Sequence, residues 1–225
     1  MNFFPTITTT KNSNWEGKIK EAKYLNLSEL AVFPTALNQL QRKKLYHLLE
    51  ESNIRSIPFV HLRGDMKLWE LDYLVKKYHT QRFNIHSIKE FPLIYDYSKY
   101  KHIIYIENTG SYLTESELKN FAGICLDFAH LENDRLMQKQ RFEHNLKLIK
   151  KYPIGCNHIS VIKKISHLEG NEKRVDEHWM EDFSELDYLK NYPLHYFSDF
   201  CAIELENSLK EQLDAIDYIV KLISK

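Results

Sequence analysis

The chain has 225 residues, 43% of them hydrophobic, and 31 Lys and Arg set against 31 Asp and Glu. That length supports one sizeable core, and the balanced charge gives the whole molecule no pull toward nucleic acid or an anionic membrane. Three cysteines without a CxxC pair indicate buried thiols in a reducing compartment, and the absence of a signal-like start or of a run of about eighteen apolar residues leaves the cytoplasm as the expected location.

Along the chain, short β-prone runs alternate with amphipathic segments. Strands are predicted at 2–8, 29–33, 56–61, 82–86, 102–107, 123–128, 155–161 and 200–206, and helices at 15–24, 36–51, 67–78, 91–100, 115–121, 133–150, 182–191 and 209–223. Gly123 and Gly155 sit where a helix hands over to a strand, and Pro34 and Pro92 follow strands. Eight strand–helix units predict an α/β fold, a (β/α)8 TIM barrel forming one compact domain over 1–225. An open doubly wound sheet would produce a similar string, and the equality of the units favours closure.

The ionisable residues recur at one level, the last residues of a strand or the segment directly after it, which is the active face of such a barrel. Strand three ends in His61 and Arg63, strand four in His86, strand five in Glu107, and strand six in Asp127 and His130. Strand seven carries His158, with Arg174, Asp176 and His178 in the loop after it, and strand eight ends in Glu204 and Glu206. Side-chain alternation puts Glu107 on one face with Tyr105 and Ile103, and Asp127 with Cys125, so these faces can share the barrel axis.

A ring of acids alone would repel itself, whereas mixed imidazoles and carboxylates are reconciled by cations. That donor mixture suits Zn²⁺ first, with Mn²⁺ or Fe²⁺ as alternatives, over Mg²⁺ or Ca²⁺. Any one of these histidines taken alone is more simply a hydrogen-bonded polar residue; the evidence is the set. His47, His79, His102, His144 and His195 lie in helices or at strand starts and receive no chemistry, and solvation is the simpler account of His167. Cys125 and Cys156 are expected to point inward one layer below the metals, and the many Tyr and Phe are assigned to packing.

Three stretches carry a resemblance that spans nearly the whole chain. Ile106-Glu107-Asn108-Thr109-Gly110 is similar to a Glu-Asn-Thr-Ala-Gly stretch, Cys125-Leu126-Asp127-Phe128-Ala129-His130 to Cys-Leu-Asp-Thr-x-His, and Arg174-Val175-Asp176-Glu177-His178 to Arg-Val-Asp-Arg-His. In these stretches the chain resembles AP endonuclease family 2, the endonuclease IV-like branch of the xylose isomerase-like TIM-barrel superfamily. The resemblance implies two or three divalent metal ions: His61, His86 and Glu107 on one; Glu107, Asp127, His158 and Glu204 on a second; His130, Asp176 and His178 on a third. Strand eight reads Glu204-Leu205-Glu206 where that family has a single Glu, and Glu204 is favoured as the bridging ligand.

The expected activity is metal-dependent phosphoester hydrolysis, with Glu107 and Glu204 as the catalytic carboxylates and Arg63, Arg174 and Glu206 contacting substrate. The shorter chain, the missing Gly-rich continuation after the third stretch and the zero net charge point to a small phosphorylated or sugar substrate in place of DNA, with no membrane partner. The alternative is a mononuclear sugar or sugar-phosphate isomerase or epimerase in which Glu107 or Glu204 moves the proton. A barrel that binds metal or ligand without turnover is the third reading.

Overall fold

Eight parallel strands close into a barrel in this computed structural model, which describes residues 1–10 and 13–224. In chain order the elements are β1 (Asn2–Thr8), α1 (Trp15–Tyr24), β2 (Ala31–Phe33), α2 (Gln39–Glu50), β3 (Phe59–His61), α3 (Leu68–Tyr78), β4 (Arg82–Ile85), β5 (Ile104–Glu107), α4 (Glu115–Leu118), β6 (Ile124–Asp127), α5 (Phe128–Met137), α6 (Lys139–Ile149), β7 (Ile154–Ile159), β8 (Val161–Glu169), β9 (Glu172–Glu177), β10 (Phe200–Ile203) and α7 (Leu209–Ile223). The barrel runs β1-β10-β7-β6-β5-β4-β3-β2, so the ring and the single-domain expectation for the fold both hold. No helix among the described residues is long and apolar enough to cross a membrane.

The period of two along each strand sorts the core into two shells. Outward positions such as Val32, Val60, Ile106, Leu126 and Ile203 pack under the helices. Inward positions form a separate cluster on the axis, where Phe4, Phe33, Phe59 and Tyr105 interdigitate with the small Ala31, Cys125, Cys156 and Ala202. The two cysteines thus lie on the axis, as expected, one alternation below Asp127 and His158. Short strands suffice because both faces are covered, and β2 through β6 are buried almost throughout. Capping boxes at Asn38 and Ser208 start α2 and α7 where the polar–apolar pattern begins.

Four elements depart from expectation. The segment predicted as a helix at 91–100 is an irregular loop ending in a 3-10 turn at Ser98–Ile103, because Pro92 removes a donor and Phe91 and Ile94 face solvent. The helix expected at 133–150 is two helices broken at Gln138, whose φ of −135° leaves the helical region. That break lets Arg141 fold back onto Asp134 at 2.8 Å. The helix expected at 182–191 is of the tighter 3-10 kind. The loop expected after strand seven is an antiparallel hairpin, β8 and β9, reversing at Gly170, where φ is +59°.

Candidate metal centre

Alternation and register deliver the cluster. His61, Glu107 and Asp127 are the terminal residues of β3, β5 and β6, His158 lies within β7 opposite Asp127, and His86 and Glu204 follow the last residues of β4 and β10 by one position. All but His86 are buried. Glu107 is the hub: its Oε2 lies 3.1 Å from His61 Nε2, 3.7 Å from His86 Nε2 and 3.5 Å from His158 Nδ1. His158 Nδ1 is also 3.0 Å from Glu204 Oε2 and 3.9 Å from Asp127 Oδ2.

Two ligand sets result, each with one donor atom per residue and all such atoms within 4.8 Å of one another. They are His61, His86 and Glu107, and Glu107, Asp127, His158 and Glu204. Glu107, Cys125 and His158 meet the same condition, but burial pushes the Cys125 thiol well up, which disfavours the thiolate. The nitrogens are poised to coordinate. His61 Nδ1 is 2.9 Å from the Leu62 carbonyl, and donation there turns the free Nε2 pair inward, to within 3.0 Å of His86 Nε2. Asp127 Oδ2 and both ring nitrogens of His158 are buried without hydrogen-bond partners, as donors awaiting a cation would be. The residues present therefore fit divalent metal.

The protonation pattern has the same logic. Burial alone would raise the Glu107 carboxyl, yet the His158 and His86 imidazoles beside it hold it well below the carboxylate range. Against a like desolvation, His158 and His178 bring Glu204 down to about 2. Burial would lower His158, and the charges of Glu107 and Glu204 overcome it and raise it well up. His130, opposed by burial, is raised to about 10 by Asp127 and Asp176. His86, farther from an acid, is lowered to about 4 by burial. Burial raises Asp127 in spite of His130 and His158. In the metal-free protein, protons on His158 and His130 serve as the counter-charge to the acids.

The third expected trio is only partly assembled. His130 Nδ1 meets Asp176 Oδ2 at 2.7 Å and directs its Nε2 toward Glu107 and Asp127, at 3.8 and 3.9 Å. His178 Nδ1 is instead 3.0 Å from the Glu204 carbonyl, and no three-ligand set forms from His130, Asp176 and His178 among the described residues. The Arg174 guanidinium pairs with Asp176 and reaches Glu169 at 2.8 Å. Of the expected substrate contacts, Arg174 lines the cavity over the cluster. Arg63 faces a neighbouring cavity with its guanidinium committed to Asp65 and the Thr35 carbonyl, and Glu206 lines neither cavity, accepting a hydrogen bond from Thr10.

Sequence reasoning missed several supporting groups. Asn84 donates to Glu107 Oε2 at 2.6 Å, and Asn108 clamps the Asp127 backbone through its carbonyl and N–H at 2.9 and 2.8 Å. Phe33 lays its ring 4.5 Å from that of His158. Asn84, two residues before His86 on the same strand face, was the one of these with a positional signal. His167, assigned to solvation, lines the cavity.

That cavity, about 520 Å³, has an acidic mouth: Glu90, Glu169, Glu172 and Glu177 stand around it, with Arg174 the only Lys or Arg among the described residues that line it. The volume suits a small molecule.

No protein-family profile matches this chain, and no curated protein matches it. Solved structures do. A protein from Bacillus anthracis, described as the probable 3-DHS dehydratase AsbF involved in petrobactin synthesis, aligns with TM-score 0.43 and 10% identity, covering 97% of each chain. A conserved protein of unknown function from Enterococcus faecalis aligns with TM-score 0.47 and 10% identity, over 92% of this chain and 62% of that one. At these similarities the chemistry rests on the side chains.

Proposed function

We propose that this barrel is a binuclear divalent-metal hydrolase of small phosphoesters, endonuclease IV-like in its ligand set, with zinc as the first choice and manganese or iron as alternatives. The observation that carries the reading is the sharing of Glu107 between two ligand sets, His61 and His86 on one side and Asp127, His158 and Glu204 on the other. Bound ions would supply Lewis-acid polarisation of the phosphoryl group and neutralise charge on the leaving oxygen. Asn84 orients the Glu107 carboxylate, Asn108 holds the Asp127 backbone, and Arg174 presents positive charge at the cavity wall. Asp176 and His130 support Arg174 and the acid pair, and His178 steadies the strand end bearing Glu204. The third ion has the weaker support, since its trio does not converge.

Glu107 and Glu204 are both held low. Both are therefore carboxylates near neutrality, the form that coordinates a cation. The test is elemental analysis of protein purified without chelator, together with turnover of bis(p-nitrophenyl) phosphate. Two ions per chain are expected, with both depleted in Glu107→Gln and kcat down by about a thousandfold or more. One ion per chain that survives Glu107→Gln, or isomerisation of a sugar phosphate without any phosphoester turnover, would overturn the proposal. Abasic-site duplex DNA is expected to remain uncut.

A further inference from the structure

Beside the metal cavity lies a second one of about 370 Å³, continuous with it at His61 and His86. Its walls have a different chemistry. Leu62, Ile85, Phe91, Pro92, Leu93 and Ile94 make them largely apolar, with the Glu90 carboxylate on the side shared with the metal cavity, and the guanidinium of Arg63 is neutralised by Asp65 at 2.9 Å and capped on the Thr35 carbonyl.

The wall is built rather than incidental. The loop from 86 to 97 is tied down at its start, where Ser87 Oγ and the Ile88 N–H both donate to Glu117 Oε1 at 2.7 and 2.8 Å. At its far end the Tyr97 hydroxyl donates to the Met66 carbonyl at 2.6 Å. In between, the Ile94 N–H donates to the Gly64 carbonyl at 2.9 Å, and Gly64 is packed so closely that a Cβ there would meet the Pro92 carbonyl oxygen at 2.5 Å. The loop nevertheless leaves Phe91 56% and Ile94 67% exposed at the cavity, with the Phe91 ring edge-on to His86 at 5.1 Å between centroids. Two large apolar side chains held rigidly in water beside two metal-ligand imidazoles are costly to expose unless something covers them.

We propose that this cavity is a substrate subsite for an apolar, ring-bearing ester group, with Phe91 as the residue that selects it. The inference rests on the phosphoester reading of the neighbouring cavity: a phosphoryl group at the Glu107 cluster would extend its organic portion past His61 and His86 onto the apolar walls.

Titration calorimetry with phenylphosphonate and methylphosphonate, neither of which is hydrolysed, tests it on zinc-loaded protein. Phenylphosphonate is expected to bind about tenfold or more tightly than methylphosphonate, as burial of a ring dictates. Phe91→Ala, and separately Ile94→Glu at an exposed position that tolerates charge, should each bring the ratio to within about threefold. Equal affinities in the parent protein, or a ratio unmoved by both substitutions, overturn the subsite and leave the metal-centre reading standing. If neither phosphonate binds, the phosphoester reading fails, and phenol alone followed by amide chemical shifts decides the subsite: perturbations at Phe91, Leu93 and Ile94 sustain it, and perturbations confined elsewhere overturn it.

Discussion

Lys18 of α1 is buried, and its Nζ donates to the Leu205 carbonyl at 2.7 Å, beside the ligand Glu204. Burial lowers its pKa from 10.5 to about 8 in spite of Glu206, Glu21 and Glu211. The folded value lies below the unfolded one, so the unfolded chain binds more protons between them. Stability is therefore depressed at pH 8 and below, and recovers as pH climbs toward 10.5. Urea unfolding of the parent and of Lys18→Met at about pH 7 and about pH 9.5 should show the parent gaining roughly 2 kcal/mol on the variant over that interval. A difference that stays constant with pH would mean that burial does not perturb this amine. At the same scale, Arg63 at a strand end faces the second cavity while Asp65, two residues on, pairs with its guanidinium.

Between elements, Tyr105 of β5 packs against Gly155 of β7 beneath the centre. A Cβ on Gly155 would fall 2.0 Å from the Tyr105 ring, so this glycine is what allows the tyrosine to fill the axis beneath Glu107 and His158. Gly155→Ala is expected to destabilise by about 1–3 kcal/mol through overpacking. In a double-mutant cycle with Tyr105→Ala, at least about 1 kcal/mol of that should be recovered. Independent, additive effects in chemical denaturation would show that the two residues do not compete for space. The β8–β9 hairpin is the other decisive element, because it carries Arg174 and Asp176 over the cavity while Arg141 pins it through Glu172 at 3.0 Å. Its strand pattern was obscured in the sequence by the register shift between Ile162 and His167.

Across the whole molecule, balanced net charge conceals a local concentration of acids and imidazoles around the cavity. Zinc at a hundred to a thousand times its dissociation constant would stabilise the fold by about 3–4 kcal/mol per site. For a domain of this size that corresponds to a rise in thermal midpoint of roughly 6–15 °C, reversed by chelator. Scanning calorimetry of zinc-loaded and chelated protein checks it, with Glu107→Gln as the control that should not respond. Identical midpoints in the parent would remove the metal centre altogether.

The eightfold alternation and the placement of acids and histidines at strand ends were legible in the residues alone, because periodicity and position within a strand are local properties. Which side chains converge was not. Glu107 meets His61, His86 and His158 only because ring closure and the stagger of eight strands bring residues nearly a hundred positions apart to one height. The break at Gln138, the hairpin after β7, the turning of Glu206 toward Thr10 and the apolar cavity beside His86 likewise depend on packing between distant segments. Local sequence set the repertoire of ligands, and the closure of the barrel decided the number brought within reach of one another.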